Sequence, residues 1–210
     1  IRLVCNQLGK YGLVAPYQTP EGVGSNGNVS YRLTPDDRFV ITATQLPSKR
    51  NLRGKDFVIV DRYEMPTEPT DRGTAYYHGQ RLPSSESILH WYFYNTNRVV
   101  ESIIHAHEET ELLYSPRSQA VWKDLGIVET ERIGEEGTID LPKSVEEVLK
   151  DLSQYTVLLK HHPPWDEAHT GVLTIGTGIN GLTKALDRAL DVHRELVSAN
   201  RVYPGTTPTS

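Results

Sequence analysis

The sequence predicts an α/β protein in which helices cover a β-sheet. Two kinds of segment alternate along the chain: short β-branched and aromatic runs, such as 57–60, and longer segments with apolar residues at helical spacing, such as 182–197. Sheets and amphipathic helices bury their apolar sides against each other, so the alternation indicates a layered fold. A length of 210 residues is typical of one domain, and we expect residues 1–210 to form it.

The first half of the chain predicts one helix and three strands. The helix covers residues 1–11, where apolar residues recur every three or four positions, and Gly12 ends it. A glycine-rich turn at 22–27 then leads into the first strand. The β-branched runs that predict strands are 28–32, 39–42 and 57–60. Residues 61–80 carry Pro, Gly, Thr and charged side chains, and we expect a long loop or excursion there.

The second half predicts helices and strands in alternation. Pro83-Ser84-Ser85-Glu86 begins an apolar and aromatic helix, with Glu86 in its first turn. The apolar run 99–104 predicts a strand that ends in His105-Ala106-His107. The remaining predicted elements are a helix after this strand, a strand near 127–128, a helix at 144–152, strands around Val157 and at 171–175, and a closing helix at 182–197.

Composition argues against two classes of partner. The 22 Lys and Arg against 27 Asp and Glu give a net charge of −5, and the basic residues cluster only at 49–53, so we expect no nucleic-acid partner. No apolar stretch approaches the roughly 18–20 residues of a transmembrane helix, so we expect no membrane partner. Cys5 cannot pair within the chain, which fits a reducing compartment. The chain as given, from Ile1, has no signal peptide, and we expect a soluble, cytoplasmic protein.

Four histidines at the ends of apolar runs suggest a metal site. His105 and His107 are two apart on a predicted strand, so their rings point to the same face and can bind one ion. The pair His161-His162 ends a second run, and one of the two can supply a third nitrogen. Three protein ligands with an open fourth position are typical of catalytic zinc. The alternative is that these are strand-end histidines hydrogen-bonded to the backbone.

Two other segments can bind an anion. Ser84 and Ser85 precede a helix, whose free N–H groups and dipole favour a phosphate, although this segment taken alone favours ordinary N-capping, which Ser does well. The segment 24–30 combines glycines with Ser and Asn, which can cradle a phosphate or simply form a turn. Glu86 is either a general acid/base aimed at the metal site or a carboxylate that complements the helix dipole.

The order of these motifs resembles the class II aldolase/adducin family over nearly the whole chain. The motifs are Gly27-Asn28-Val29-Ser30, Pro83-Ser84-Ser85-Glu86, Ile103-Ile104-His105-Ala106-His107 and Leu158-Leu159-Lys160-His161-His162. The resemblance implies a three-layer α/β/α sandwich around a central, largely antiparallel sheet. It also implies a homotetramer with active sites at subunit interfaces.

The resemblance also implies a role for each motif residue. It makes His105, His107 and His162 the ligands of Zn²⁺ or another divalent transition metal, and Glu86 the catalytic carboxylate. The implied phosphate-binding residues are Ser25, Gly27 through its backbone, Asn28, Ser84 and Ser85. The implied reaction is the zinc-dependent cleavage of a phosphorylated ketose through a metal-stabilised ene-diolate.

The chain departs from the aldolases of this family at two places and resembles them at a third. Their catalytic Tyr has no counterpart in 126–131, where Glu129 or Glu131 is either a substitute proton donor or a solvent-facing charge. Pro163-Pro164 replaces the usual glycine after the second histidine, and an unusual loop, 165–169, follows. Tyr203 resembles the terminal Tyr that reaches a neighbouring subunit's site.

Three functions stay open from the sequence. The first is the metal-dependent aldolase, which Glu86 favours because related epimerases carry Asp at this place. The second is a metal-dependent epimerase, dehydratase or decarboxylase of the same family, acting on a related sugar phosphate. The third is a non-catalytic adducin-like interaction module, which would keep the fold without the metal site. Metal content separates the third function from the other two.

Overall fold

The computed structural model of the protein describes residues 1–19, 22–33, 37–68, 71–149 and 156–201. The helices are α1 (Arg2–Lys10), α2 (Ser87–Thr96), α3 (Thr110–Leu113), α4 (Pro116–Leu125), α5 (Asp140–Val148) and α6 (Gly181–Asn200), with a 3-10 turn at Gly54–Asp56. The strands are β1 (Pro16–Thr19), β2 (Gly22–Ser25), β3 (Asn28–Arg32), β4 (Phe39–Thr42), β5 (Phe57–Glu64), β6 (Thr74–His78), β7 (Val100–Glu109), β8 (Val128–Glu129), β9 (Thr156–Leu159) and β10 (His169–Thr177).

The central sheet brings the predicted motifs together. Its strands run in the order β6-β5-β4-β3-β7-β10-β9-β8. Every neighbouring pair is antiparallel except β8 and β9, which are parallel. In the middle of the sheet, Asn28 of β3 pairs with His105 of β7, and Gly171 of β10 pairs with His107. The register therefore places the Gly-Asn turn and the His-x-His motif side by side.

Strand β7 presents its two faces to different helices. His105 faces the start of α2, where its Nδ1 lies 2.6 Å from Glu86 Oε2. Glu108 faces α6, where its Oε2 lies 2.7 Å from His193 Nδ1. Since side chains alternate along a strand, His107 shares the α2 face with His105. Helices α2 and α5 pack together on this face, and α6 lies on the other with α1, α3 and α4. The predicted three-layer α/β/α sandwich with a largely antiparallel sheet is confirmed.

Both faces of the sheet are covered by apolar side chains. On the α2 face, the ring of Phe39 packs against His90, Trp91 and Tyr94. On the other face lies a smaller cluster from α3, α6 and the sheet edge, made of Leu113, Ile127, Leu158, Val172, Val192 and Leu196. The site strand β7 is therefore held between two packed layers, which fixes the positions of its histidines.

The closing helix extends beyond the sequence prediction at both ends. It was expected at 182–197, and α6 spans Gly181–Asn200. Its buried side chains recur at helical spacing, which is the amphipathic pattern that predicted it. These buried residues include Ala185, Ala189, Val192 and Leu196. None of the helices in the described part of the chain has the length and apolar character that crossing a membrane requires.

Two segments predicted as turns or loops contain strands. The glycine-rich turn expected at 22–27 is strand β2 up to Ser25, which pairs with β1, and only its end turns. This pairing depends on Gly24, because a Cβ there would lie 2.5 Å from the Tyr17 ring. The excursion expected at 61–80 holds the end of β5 and all of β6, which pair at the sheet edge. Neither pairing is visible in the sequence, because both partners come from segments without a clear alternating pattern.

The boundaries of two other elements differ from the prediction. The helix expected at 144–152 is α5, which begins four positions earlier, at Asp140, and ends at Val148. Residues 150–152 of that prediction lie outside the described residues. Glu86 was expected in the first turn of its helix, and it is the N-cap residue of α2 instead. Its carboxylate does not cap the helix, because it is bonded to histidines of the site.

Candidate metal centre and substrate pocket

Glu86 lies at the centre of the candidate site. Its Oε2 lies 2.6 Å from His105 Nδ1, and its Oε1 lies 2.7 Å from His162 Nε2. These three side chains offer ligand atoms that all lie within 4.8 Å of one another, and all three are buried. They come from distant parts of the chain: the start of α2, the middle of β7 and the turn after β9. The arrangement can hold a divalent metal ion.

His107 lies beside this cluster, not within it. Its ring centroid is 4.8 Å from that of His105 and 6.2 Å from that of His162. Burial lowers the pKa of His107 well below its usual range, and the neighbouring His105 and His162 rings lower it further. His107 is therefore a neutral imidazole, which is the form that binds metals. Its role as a third histidine ligand stays a prediction.

Three buried ring nitrogens in the site have no hydrogen-bond partner among the described residues: His105 Nε2, His107 Nδ1 and His162 Nδ1. Buried polar atoms are rarely left unpaired in folded proteins. The rings pack closely against Gly171, where a Cβ would lie 2.7 Å from His105 Nε2 and 3.0 Å from His162 Cδ2, so the absence of a side chain there is what accommodates them. Unpaired imidazole nitrogens beside a buried carboxylate fit a metal ion.

Glu86 is charged in this environment. Burial alone would raise the pKa of its carboxyl, but the facing His105 and His162 rings and their hydrogen bonds hold that pKa well below its usual range. Asn28 adds a further hydrogen bond, in which its Nδ2 donates to Glu86 Oε2 over 2.6 Å. The site therefore contains a buried, ionised carboxylate, and its contacts with the two histidines lower its basicity for as long as they are present.

A chain of buried side chains fixes the orientation of Asn28. His90 Nε2 lies 2.5 Å from Asn28 Oδ1, and His90 Nδ1 lies 2.6 Å from Ser30 Oγ, which lies 2.6 Å from the Tyr94 hydroxyl. Burial lowers the pKa of His90 to about 3, so its ring is neutral. With Nε2–H donating to Asn28, the amide must turn its NH₂ group toward Glu86. This chain, which we call the His90 relay (Tyr94, Ser30, His90, Asn28), aims a donor at the carboxylate.

The residues predicted to bind phosphate line one pocket, but most of their polar groups are engaged. Ser25 Oγ donates to the Leu46 carbonyl over 2.8 Å. Asn28 Nδ2 donates to Ser84 Oγ as well as to Glu86. Ser85 Oγ donates to Glu136 Oε1 over 3.2 Å. The pocket is lined by Ser25, Gly27, Asn28, Ser84, Ser85, Glu86, His107 and His162, together with Tyr17, Lys49, Glu136 and Trp165, among others.

Gly27 has a backbone reason for being glycine. Its φ is +69°, a left-handed conformation that other residues adopt at a cost. A Cβ there would lie 2.2 Å from the carbonyl oxygen of His105. The turn therefore packs directly on the backbone of the His-x-His motif. This close contact ties the position of the predicted phosphate-binding turn to the histidines.

Sequence reasoning missed several pocket residues. Lys49 Nζ donates to the Ser25 carbonyl over 2.6 Å, although the sequence showed Lys49 only as part of a small basic cluster. Trp165 of the unusual loop packs on Tyr17 with 5.0 Å between ring centroids. Asp166 holds that loop in place, because its Oδ2 accepts from Asn26 Nδ2 over 3.1 Å. Nothing in the sequence indicates that Lys49 is buried. The loop at 165–169, in contrast, was recognisable in the sequence as unusual.

The candidates for the missing Tyr lie elsewhere. The Glu129 carboxylate accepts a hydrogen bond from the Tyr114 hydroxyl. The side chain of Glu131 is exposed. Neither lines the pocket of this chain. Tyr203 lies outside the described residues, so the prediction about it stays untested.

Comparisons with known proteins agree with this fold and site. The family described as class II aldolase and adducin N-terminal domain matches residues 5–180. An L-fuculose 1-phosphate aldolase structure matches with a TM-score of 0.60 and 18% identity over 99% of this chain and 88% of that one. The L-fuculose-1-phosphate aldolase of Thermus thermophilus matches with a TM-score of 0.56 and 20% identity over 93% and 89%.

A structure with a broader description is also similar. YgbL from Escherichia coli, titled a putative aldolase/epimerase/decarboxylase, matches with a TM-score of 0.56 and 18% identity over 94% of this chain and 85% of that one. No curated protein sequence gives a significant match. At these identities the structures show the fold, and the family match confirms the resemblance that the ordered motifs predicted.

Proposed function

Since the chain belongs to the class II aldolase and adducin family, we propose that it is a zinc-dependent aldolase that cleaves a phosphorylated ketose. The observation that carries the proposal is the buried Glu86 carboxylate, bonded to both His105 and His162 beside a pocket. A structural ion pair does not need the three unpaired ring nitrogens that surround this one. The two aldolase-titled structures agree with this choice within the family.

The proposed metal ligands are His105, His107 and His162, and the proposed ion is Zn²⁺ or another divalent transition metal. His107 would turn a nitrogen toward the cluster that Glu86 now shares with the other two histidines. A metal ion held there supplies Lewis-acid stabilisation of the negative charge that develops when the carbon–carbon bond breaks. Glu86 is the remaining carboxylate of the site and is free for proton transfer once substrate separates it from the histidines.

Glu86 is proposed to move a proton at the substrate carbon. The His90 relay fixes its direction through Asn28, and its basicity rises when substrate separates it from His105 and His162, whose contacts now hold its pKa low. The substrate phosphate would bind the Ser84 hydroxyl and the Gly27 backbone at the other end of the pocket, and the hydroxyls of Ser25 and Ser85 would join them by releasing Leu46 and Glu136. Asn28 has both N–H groups engaged, and it contributes by orienting Ser84 and Glu86.

The deciding experiment measures turnover and metal content together on Glu86→Gln. The glutamine keeps the shape and hydrogen bonding of Glu86 but cannot accept the proton, so we expect turnover to fall about 10²–10⁴-fold with the metal retained. A panel of phosphorylated ketoses, starting with L-fuculose 1-phosphate and monitored for dihydroxyacetone phosphate, supplies the assay. Glu195→Gln, an exposed substitution on α6, is the matched control. Full turnover in a folded, metal-loaded Glu86→Gln protein would remove Glu86 from the mechanism.

A metal-dependent epimerase, dehydratase or decarboxylase is the second candidate. It is favoured by the sequence 126–131, which lacks the Tyr of the family's aldolases, and by the similarity to YgbL, which is described as an aldolase, epimerase or decarboxylase. Substrate that is consumed without release of dihydroxyacetone phosphate would identify this class. A purified protein without bound metal would instead indicate an adducin-like interaction module. We propose a cytoplasmic homotetramer with sites at subunit interfaces, which light scattering can test for assembly.

A further inference from the structure

Lys49 is a buried cation beside the predicted phosphate-binding turn. Its side chain is only 3% exposed, and it lines the same pocket as Glu86 and Ser25. Its ammonium donates to the Ser25 carbonyl over 2.6 Å and to Ser25 Oγ over 3.1 Å. Among the described residues, no carboxylate oxygen lies within 4.0 Å of it. Buried lysines are almost always paired with an opposite charge, so this position calls for an explanation.

The two contacts of Lys49 do not neutralise it. They are hydrogen bonds to neutral oxygens of one residue, and an ammonium has three N–H donors. Cys5 also faces Lys49, but burial raises the pKa of this thiol to about 11, so it carries no charge at neutral pH. Glu86, the other acidic group that Lys49 senses, is bonded to His105 and His162. The pocket therefore holds a desolvated ammonium group, and one of its three N–H donors is available to a ligand.

We propose that Lys49 binds the phosphate of the substrate and supplies the positive charge of the anion subsite. This rests on the proposed function, because it assigns a new residue to the same pocket. The neutral hydroxyls of Ser25, Ser84 and Ser85 surround the site but cannot balance a dianion, and Lys49 is the one Lys or Arg among the residues that line the described pocket. Ser25 connects Lys49 to the hydroxyls of the site, since the Ser25 hydroxyl accepts a hydrogen bond from Lys49 and donates one to the Leu46 carbonyl.

Sulfate is the probe for this subsite, because it is a tetrahedral dianion that does not react. Sulfate is titrated calorimetrically into the metal-loaded protein and into Lys49→Met and Lys49→Gln. We expect both variants to bind sulfate about 10–100-fold more weakly, the loss that corresponds to a hydrogen bond to a charged group. Lys55→Met makes the same charge change at an exposed position outside the pocket, and it should bind within twofold of the unsubstituted protein.

Two outcomes would overturn the proposal: no sulfate binding by the unsubstituted protein, or binding by folded Lys49→Met and Lys49→Gln within twofold of it. Melting temperature and metal content establish that the variants are folded and that the metal half of the site is intact. The result is independent of the reaction. Sulfate binding that depends on Lys49, without ketose cleavage, would refute the aldolase and leave Lys49 in the subsite. Ketose cleavage with sulfate binding that does not depend on Lys49 would support the aldolase and refute the role of Lys49.

The pH dependence of sulfate binding distinguishes the proposed role from a structural one, because a lysine that does not contact the anion would not make the affinity depend on its own protonation. Burial lowers the pKa of Lys49 to about 8, while Cys5 and Glu86, the acidic groups that face it, act in the raising direction. Sulfate keeps its charge across this range, so affinity should fall as pH rises above about 8 and Lys49 loses its proton. Lys49→Arg, whose guanidinium does not titrate there, should show a flat profile. A flat profile in the unsubstituted protein would contradict the assignment.

Discussion

The two ends of the site differ in residue type and in burial. The imidazole end, which comprises Glu86, His105, His107 and His162, is at most 5% exposed at every residue and is tied together by bonds of 2.6 and 2.7 Å. The hydroxyl end, which comprises Ser25, Gly27, Ser84 and Ser85, lies on a turn and a helix start. Its outermost member, Ser85, is exposed and bonds Glu136, which is itself half-buried.

The difference in burial indicates which end carries out the chemistry and which end binds the substrate. Low dielectric strengthens each contact at the imidazole end, so small displacements there carry large energies. Water screens the charges at the outer part of the hydroxyl end, so single changes there carry small energies. The imidazole end is therefore suited to chemistry. The hydroxyl end, whose outer part is exposed while Ser25, Ser84 and the adjoining Lys49 are buried, is suited to binding the substrate. Substitutions at the imidazole end should therefore have larger effects than those at the outer part of the hydroxyl end.

The largest effect is expected for His162→Ala. This side chain is 1% exposed and bonded to Glu86, whereas that of its neighbour His161 is exposed, so the two form a matched pair. His162→Ala should weaken metal binding by more than the about 10–100-fold that the loss of a supporting outer residue costs. His161→Ala should retain full metal content by elemental analysis. Loss of metal from His161→Ala alone would show that the other histidine of the pair is the ligand.

The next effect concerns the space around the imidazole rings. Gly171→Ala places a Cβ 2.7 Å from His105 Nε2, so the ring must move away from its present position. We expect metal affinity to fall about 10–100-fold, as for other changes that misorient a ligand. Gly54→Ala is the control, because a Cβ there meets nothing within 4 Å. Equal metal affinity in Gly171→Ala and the unsubstituted protein would mean that the rings have room that the structure does not show.

At the imidazole end, the pairing of His105 with His107 was predictable from strand geometry, whereas His162 and Glu86 were assigned through the family resemblance. Strand alternation alone puts His105 and His107 on one face, and the ring centroids 4.8 Å apart confirm it. The fold class followed from the same kind of periodicity, as β7 and α6 show. Local patterns of this type survive folding because the packed layers reinforce them.

The parts that sequence could not predict depend on contacts between distant segments. The His90 relay joins β3 to α2, and His90 reads in the sequence as an ordinary residue of an apolar helix. Lys49 reads as a surface charge, yet the chain folds so that Ser25 covers it. Strand β6 contains Thr74, Tyr76 and Tyr77, which are common in strands, but the Pro, Gly and charged residues that precede it obscured this signal.

A smaller effect is expected at the hydroxyl end from Glu136→Gln. This carboxylate accepts the Ser85 hydroxyl at the pocket mouth and repels an incoming anion. Removing its charge should strengthen sulfate binding about two- to fivefold, the range of partly exposed charge interactions, and the gain should shrink at high salt. Metal content should not change. A loss of metal in Glu136→Gln would show that the two ends are coupled more tightly than their burial indicates.

The smallest effect is expected from a carboxylate–imidazole pair outside the pocket, on the opposite face of β7. His193 lies 2.7 Å from Glu108, and this hydrogen bond and the nearby Glu109 outweigh burial and Arg194 to raise the pKa of His193. Protonated His193 therefore stabilises the folded state fully below its unfolded pKa of about 6.5. That stability is lost as pH rises through the folded pKa.

The free energy of unfolding of the metal-loaded protein should accordingly fall by a few tenths of a kcal/mol as pH rises from about 6 through the folded pKa of His193, because the His193 side chain is partly exposed although Glu108 is buried. His193→Gln keeps a hydrogen-bond donor for Glu108 but cannot titrate, so the difference between the two proteins isolates this pair from the pocket histidines. Denaturant unfolding at several pH values measures it. A difference that grows with rising pH would reverse the sign of the pKa shift. A difference of several kcal/mol would mean that this pair is as strongly desolvated as Glu86 and His105. The contrast on which the division of the site rests would then be lost.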